Sequence, residues 1–149
     1  NGTVGCVVLD KQGNLTAGTS TGGMFKKRWG RIGDSPVIGA GTYADNNSCA
    51  VSCTGHGEYF IRHAVAFDVC ARYKYLKESV EKAADYIIHT ELNTNAGNGG
   101  LIAVDKLGNI AMPYNSGGMF RGFLYKEKGR PEIKKGCGIG KKIVVVGEK

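Results

Sequence analysis

The stretch Thr3-Val4-Gly5-Cys6-Val7-Val8-Leu9-Asp10 is dense in small and β-branched residues, and Lys11-Gln12-Gly13-Asn14 follows it as a turn. It therefore predicts a buried strand entering a tight hairpin. That reading puts Thr3 at the start of the strand and at the edge of a sheet. A threonine there can be an ordinary strand residue. It becomes a nucleophile when it is the first residue of its chain. A free α-amine, with a pKa of roughly 7.7–8.0, can then take the proton of its own hydroxyl, so that one residue is both nucleophile and base.

Outward from that strand, Leu15 to Thr21 alternates apolar and small polar residues and predicts its antiparallel partner, ending in Thr19-Ser20-Thr21-Gly22-Gly23. Hydroxyls followed by two glycines let backbone and side-chain donors approach a ligand closely, and they equally suit a plain turn. Gly30-Arg31-Ile32-Gly33-Asp34-Ser35-Pro36 is a polar loop with an arginine and an aspartate three apart. The pair could hold the carboxylate and ammonium of an amino acid, or could be an internal salt bridge. Val37 to Tyr43 and Cys49 to Cys53 predict two further strands around the turn Asp45-Asn46-Asn47-Ser48. The second runs into Thr54-Gly55-His56-Gly57-Glu58 and a helix. A strand, a glycine-rich turn and a helix start direct backbone N–H groups at one spot, which suits an anion or a developing oxyanion.

Phe60, Ala64, Phe67 and Ala71, widened by Ile61 and Val65, predict a helix of about 15 residues. Val80, Ala83, Ala84, Ile87 and Ile88 predict one of about 12 behind the N-cap Ser79. Both are expected to cover one face of the sheet, with His63 and His89 in structural or exposed places. Leu101 to Asp105 and Asn109 to Pro113 then flank a Lys106-Leu107-Gly108 turn that echoes the opening hairpin. Asn115-Ser116-Gly117-Gly118-Met119-Phe120 echoes Thr19 to Phe25, too briefly to define a repeat. Gly136 to Lys142 is glycine-rich without phosphate-loop spacing, and Ile143 to Val146 predicts a last strand.

A length of 149 residues with 42% hydrophobic content suits one domain with a real core. No apolar run reaches 18 residues, so no membrane span is expected. The net charge of +7 arises from 20 basic and 13 acidic residues and concentrates at Lys26-Lys27-Arg28 and from Lys126 to Lys142. Neither cluster interleaves with aromatics, which argues for solvated faces over a nucleic-acid surface. Cys6, Cys53 and Cys70 sit among apolar neighbours as buried thiols do, pointing to a reducing, cytoplasmic setting. Cys49, Cys53 and His56 lack a fourth partner for a metal, so no metal site is expected. Asn1-Gly2-Thr3 matches a glycosylation sequon with no signal peptide to route it.

Taken together, Thr3-Val4-Gly5, Thr19-Ser20-Thr21-Gly22-Gly23, the Arg31/Asp34 loop with Gly39-Ala40-Gly41 behind it, and Thr54-Gly55-His56-Gly57-Glu58 resemble the β-subunit of the plant-type asparaginase and isoaspartyl aminopeptidase family. These enzymes are N-terminal-nucleophile hydrolases. The resemblance is dense from Thr3 to Arg62 and thins after Lys74. It implies an α+β fold, a four-layer αββα sandwich of which this chain is the C-terminal half. It also implies a precursor cut between Gly2 and Thr3, so that residues 1–2 precede the cleavage point and 3–149 form a β-subunit completed by an α-subunit. Carried over residue by residue, Thr3 would be the nucleophile and Thr21 the hydroxyl that orients it. Thr54 and the Gly55 N–H would form the oxyanion hole. Arg31 and Asp34 would hold the α-carboxylate and α-ammonium of an aspartyl substrate, with a main-chain contact from Gly57.

The activity implied is hydrolysis of β-aspartyl dipeptides and L-asparagine to L-aspartate, by an (αβ)2 dimer of heterodimers. No cofactor is asked of this chain, and the resemblance allows an alkali-metal ion bound mainly by the α-subunit. Asn1 and Gly2 leave Thr3 with an amide in place of its base, as an uncut precursor or a retained α-tail would. Glycosylasparaginase shares the motif order, but Ala50-Val51-Ser52-Cys53-Thr54 and Tyr59-Phe60-Ile61-Arg62 look more like the isoaspartyl branch. An uncut binding subunit is the alternative of another class.

Overall fold

The computed structural model describes residues 2–126, 133–137 and 143–148. In chain order its strands are β1 (Thr3–Leu9), β2 (Leu15–Thr21), β3 (Thr42–Ala44), β4 (Cys49–Gly55), β5 (Gly99–Asp105), β6 (Ile110–Ala111), β7 (Gly122–Lys126), β8 (Ile133–Cys137) and β9 (Ile143–Glu148). The α-helices are α1 (Gly57–Arg62), α2 (Val65–Ala71) and α3 (Val80–Tyr86). The strands form two sheets, ordered β2-β1-β9-β7-β8 and β3-β4-β5-β6.

The side-chain alternation of β4 and β5 sets the layers. Cys49, Val51, Cys53, Leu101 and Ala103 face a core shared with Phe60, Val65, Val69, Ile87 and Ile88 from the helices. The intervening Ala50, Ile102 and Val104 face Val7, Leu9 and Leu15 of the other sheet. Both faces of β4 and β5 are thus covered, which is why these strands read as near-continuous apolar runs. The layers in this chain are helices, sheet, sheet, with the helices gathered on one side, an α+β arrangement. On the outer face of β1 the opposite parity applies: Val4 is 64% exposed, and Cys6 and Val8 are half-buried.

Several expectations change. β1 is not a sheet edge, because β9 lies parallel to it on the side away from β2. That pairing starts only at Cys6, so Thr3 projects past β9 while still paired to Thr21 of β2. Val37 to Tyr43 is not a strand throughout. Turns around Asp34 and Val37 occupy its first part, and regular pairing begins at Thr42. The first helix is broken at Ala64, which takes a left-handed conformation (φ 45°). The break shifts the helical face, so Phe67, read as core, is 44% exposed, while Ala66 and Val69 are buried. α2 and α3 instead run on into π-helical turns at Arg72–Leu76 and Ile87–Leu92. Ser79 caps α3 as expected, accepting a hydrogen bond from the Lys82 N–H. The Asn109–Pro113 strand shortens to Ile110–Ala111, and the last strand extends to Glu148. The basic tract Lys126–Lys142 and the glycine-rich Gly136–Lys142 lie largely outside the described residues. Among the described residues no helix is long and apolar enough to cross a membrane.

Candidate functional site

At the open end of the β1–β2 hairpin, opposite its turn, Thr3 and Thr21 are cross-strand partners. The Thr3 hydroxyl donates to Thr21 Oγ1 at 3.2 Å, and the Thr21 hydroxyl donates to the Gly2 carbonyl at 3.3 Å. Both exceed the length of a strong O–H···O bond, about 2.5–3.0 Å, so they align the groups more than they bind them. Thr21 is itself oriented by the Gly23 N–H, which donates to its Oγ1 at 2.9 Å. Lys27 Nζ donates to the Gly22 carbonyl at 2.7 Å and fixes the turn that carries that N–H.

The arginine–aspartate loop reaches the same place through Gly41. The Asp34 carbonyl accepts from the N–H groups of Val37 and Gly41, and the Gly41 carbonyl accepts from Cys53 N–H of β4 and the Thr19 hydroxyl of β2. Thr19 Oγ1 also lies 2.7 Å from Ser52 Oγ. One carbonyl thus ties the loop to both sheets. Asp34 is 5% exposed and rests on Gly57, where a Cβ would come within 2.9 Å of Asp34 Oδ1 and 2.7 Å of its backbone nitrogen. A side chain at position 57 would therefore push the aspartate away.

The end of β4 supplies the third side. Gly55 pairs with Gly99 of β5, and a Cβ on Gly55 would strike the Asn98 carbonyl and the Phe60 ring. The His56 N–H donates to that same Asn98 carbonyl at 2.9 Å. Asn115 holds the far side: its Oδ1 accepts from Gly99 N–H, and its Nδ2 donates to the carbonyls of Gly97 and Ile88.

These elements enclose a cavity of about 260 Å³ whose lining includes Gly2, Thr3, Thr21, Arg31, Asp34, Thr54 and Gly55. The structure thus brings together the residues singled out in sequence, except that Gly57 lies behind Asp34 and is not part of that lining. His63 and His89 lie elsewhere, against Glu91 and Asp85. Cys49 and Cys53 are in the helix-side core, with Cys49 Sγ against Cys70 Sγ, while His56 lines the cavity.

Sequence reasoning missed Glu58, Asn98 and Asn115. Glu58 Oε1 accepts from Arg31 Nε at 3.1 Å, a contact spanning 27 residues that no local pattern signals. Its carboxyl is held below the usual range first by its own backbone N–H and, with burial opposing, further by Arg31. Asn98 and Asn115 had one available signal, the echo between the two hairpins.

With the geometry in place, the chain can be compared with known proteins. A family model described as asparaginase matches residues 1–132. An isoaspartyl peptidase of Salmonella typhimurium is 54% identical over 124 residues, covering 83% of this chain and 40% of that protein. The isoaspartyl peptidase of Escherichia coli is 49% identical over 138 residues, 86% of this chain and 43% of that protein. A probable isoaspartyl peptidase/L-asparaginase 2 of Arabidopsis thaliana is 53% identical over 120 residues, 80% and 36% respectively. The chain therefore spans well under half the length of the curated relatives it matches.

Proposed function

The chain belongs to the asparaginase family, and from that membership we propose that it is the nucleophile-bearing half of an amidohydrolase releasing L-aspartate from β-aspartyl dipeptides and L-asparagine. The observation that carries the reading is the contact set at Gly2-Thr3. One hydroxyl, Thr21, accepts a hydrogen bond from the Thr3 hydroxyl and donates one to the carbonyl just before Thr3.

In this reading the first reaction is on the chain itself. The Thr3 oxygen adds to the Gly2 carbonyl carbon, whose oxygen is polarised by Thr21. The C–N bond then breaks, the amine takes the proton, and Gly2 is left as an ester on Thr3. Water hydrolyses that ester. The freed α-amine is the base for turnover: it takes the Thr3 hydroxyl proton as the oxygen attacks the side-chain carbonyl of the aspartyl substrate. Thr54 and the Gly55 N–H stabilise the oxyanion. The leaving amine departs with the proton, and water opens the aspartyl ester. Arg31 grips the α-carboxylate and Asp34 the α-ammonium, with Gly57 supporting the ammonium end.

Other features support a missing α-half that completes an αββα sandwich and an (αβ)2 assembly. The outer face of β1 carries the exposed Val4, and Trp29 in the loop leading to Arg31 is 102% exposed. Thr21 and Gly55 also stand open to solvent. Such surface is what a partner covers. The chemistry asks for no cofactor from this chain, and any alkali-metal ion would be held mainly by the α-half. Cys6, Cys49 and Cys70, none of them in a disulfide, support a reducing compartment such as the cytoplasm. The isoaspartyl names of the relatives favour that branch over glycosylasparaginase.

The test is a time course on the full-length protein that follows the new Thr3 terminus and aspartate release together. Both should rise in step, and Thr3→Ala should remain one intact, folded, inactive chain. Full activity with the Gly2–Thr3 bond intact would refute the free-amine mechanism.

A further inference from the structure

Arg31 reaches the cavity from an irregular loop. What fixes it is Glu58, the second residue of α1. One carboxylate oxygen, Oε1, accepts from Arg31 Nε–H at 3.1 Å and lies 3.1 Å from Nη2 in the same ion pair. That side-on grip uses one edge of the guanidinium plane and leaves the opposite edge, Nη1 with the second Nη2 hydrogen, unused by Glu58. Nη1 lies over the bare Cα of Gly33, where a Cβ would come within 2.8 Å of it.

Exposure separates the two partners. The Arg31 side chain is 20% exposed and that of Glu58 53%, and only Arg31 lines the cavity. Ion pairs this open contribute little to fold stability. What this one supplies is orientation, because a guanidinium held along one edge has its other edge aimed.

We propose that Glu58 is a positioning residue that aims the free edge of the Arg31 guanidinium at the α-carboxylate of the aspartyl substrate. The proposal rests on the reading of Arg31 as the carboxylate clamp and adds the device that makes the clamp effective.

The test uses the full-length protein with Glu58→Ala and Glu58→Gln, on L-asparagine and on 3-aminopropanamide, which keeps the amide and the amine but lacks the α-carboxylate. Glu58→Ala should raise KM for L-asparagine about tenfold, with kcat within threefold, a loss typical of removed binding energy. Glu58→Gln, whose amide oxygen can still accept from the guanidinium, should recover most of it. The basal rate on 3-aminopropanamide should be the same in all three proteins, as should the rate at which the Thr3 terminus appears, because neither reaction presents a carboxylate to Arg31. In the Arg31→Ala background, adding Glu58→Ala should cost nothing more. An unchanged KM for L-asparagine in Glu58→Ala overturns the proposal, as does an equal loss on both compounds, which marks general damage to the fold. Wild-type protein that hydrolyses neither compound overturns the functional reading and this proposal together. Hydrolysis of L-asparagine by wild type that Glu58→Ala matches in KM and kcat overturns this proposal alone.

Discussion

The hairpins β1–β2 and β5–β6 carry the same turn in the two halves of the chain. In Asp10-Lys11-Gln12-Gly13-Asn14, Asp10 Oδ1 accepts from the N–H groups of Gln12 and Asn14, and the Asn14 side chain donates to Oδ2. In Asp105-Lys106-Leu107-Gly108-Asn109, Asp105 accepts from Leu107, Asn109 and the Asn109 side chain in the same way. The register above the turn matches too. Val8↔Thr16 and Leu9↔Leu15 correspond to Ala103↔Ala111 and Val104↔Ile110, and Gly5↔Thr19 corresponds to Gly100↔Tyr114. The difference lies at the open ends. One presents Thr3 and Thr21 to the cavity. The other has Asn98, whose carbonyl receives His56 N–H, and Ser116, whose hydroxyl donates to its own turn at Gly118. A shared hairpin thus opens once onto the cavity and once braces the neighbouring strand end, and only the residues at its mouth tell which.

The largest expected contrast is therefore at the mouths. Thr21→Ala should slow both self-cleavage and asparagine hydrolysis by on the order of 10²-fold, as loss of one aligned hydrogen-bonding group at a reacting centre does, while Ser116→Ala should leave both within twofold. Rates from matched preparations decide it, and equal effects would erase the division of labour.

Next in size is a stability contrast one position up each hairpin. Asn115→Ala strands three backbone groups that its side chain now satisfies, at a cost of about 1–3 kcal/mol. Its counterpart Ser20 is exposed, so Ser20→Ala should change stability by less than about 0.5 kcal/mol. Urea unfolding midpoints measure both.

The smallest contrast is at the turns. Asp105 is 1% exposed, so Asp105→Ala leaves its turn N–H groups poorly hydrated and should lower the unfolding midpoint more than Asp10→Ala, where water replaces the carboxylate. The Asp10 carboxyl is held below the usual carboxylate range, chiefly by the Asn14 side chain and backbone. A depressed folded value gives a contribution present above the ordinary value and lost as pH falls through the lower folded one. The deficit of Asp10→Ala should accordingly be constant near neutrality and shrink as pH drops below about 4. A deficit that persists at lower pH would mean that the charge is irrelevant to that turn.

Much of this was legible because period and turn chemistry are local. The Leu9–Leu15 hairpin, the Ser79 cap and the strand entering Thr54-Gly55 each declare themselves within a dozen residues. The breaks were not legible, because spacing cannot report a register shift. Ala64 carries no breaker signal, yet its positive φ moves Phe67 outward. The parallel pairing of β1 with β9 joins residues from opposite ends of the chain, so Thr3 read as an edge residue. The cavity-lining residues stood in the sequence as separate motifs, but Glu58 was seen only as part of one, since its contact depends on a distant arginine.

Gly2 lines the same cavity as Arg31 and Asp34. If the proposed reading holds, the uncut chain is its own first and single-use substrate, and it competes with any external one at an effective concentration no solution can match. Activity should then emerge after a lag whose length is indifferent to dilution and to added asparagine, as befits a clock set inside one molecule.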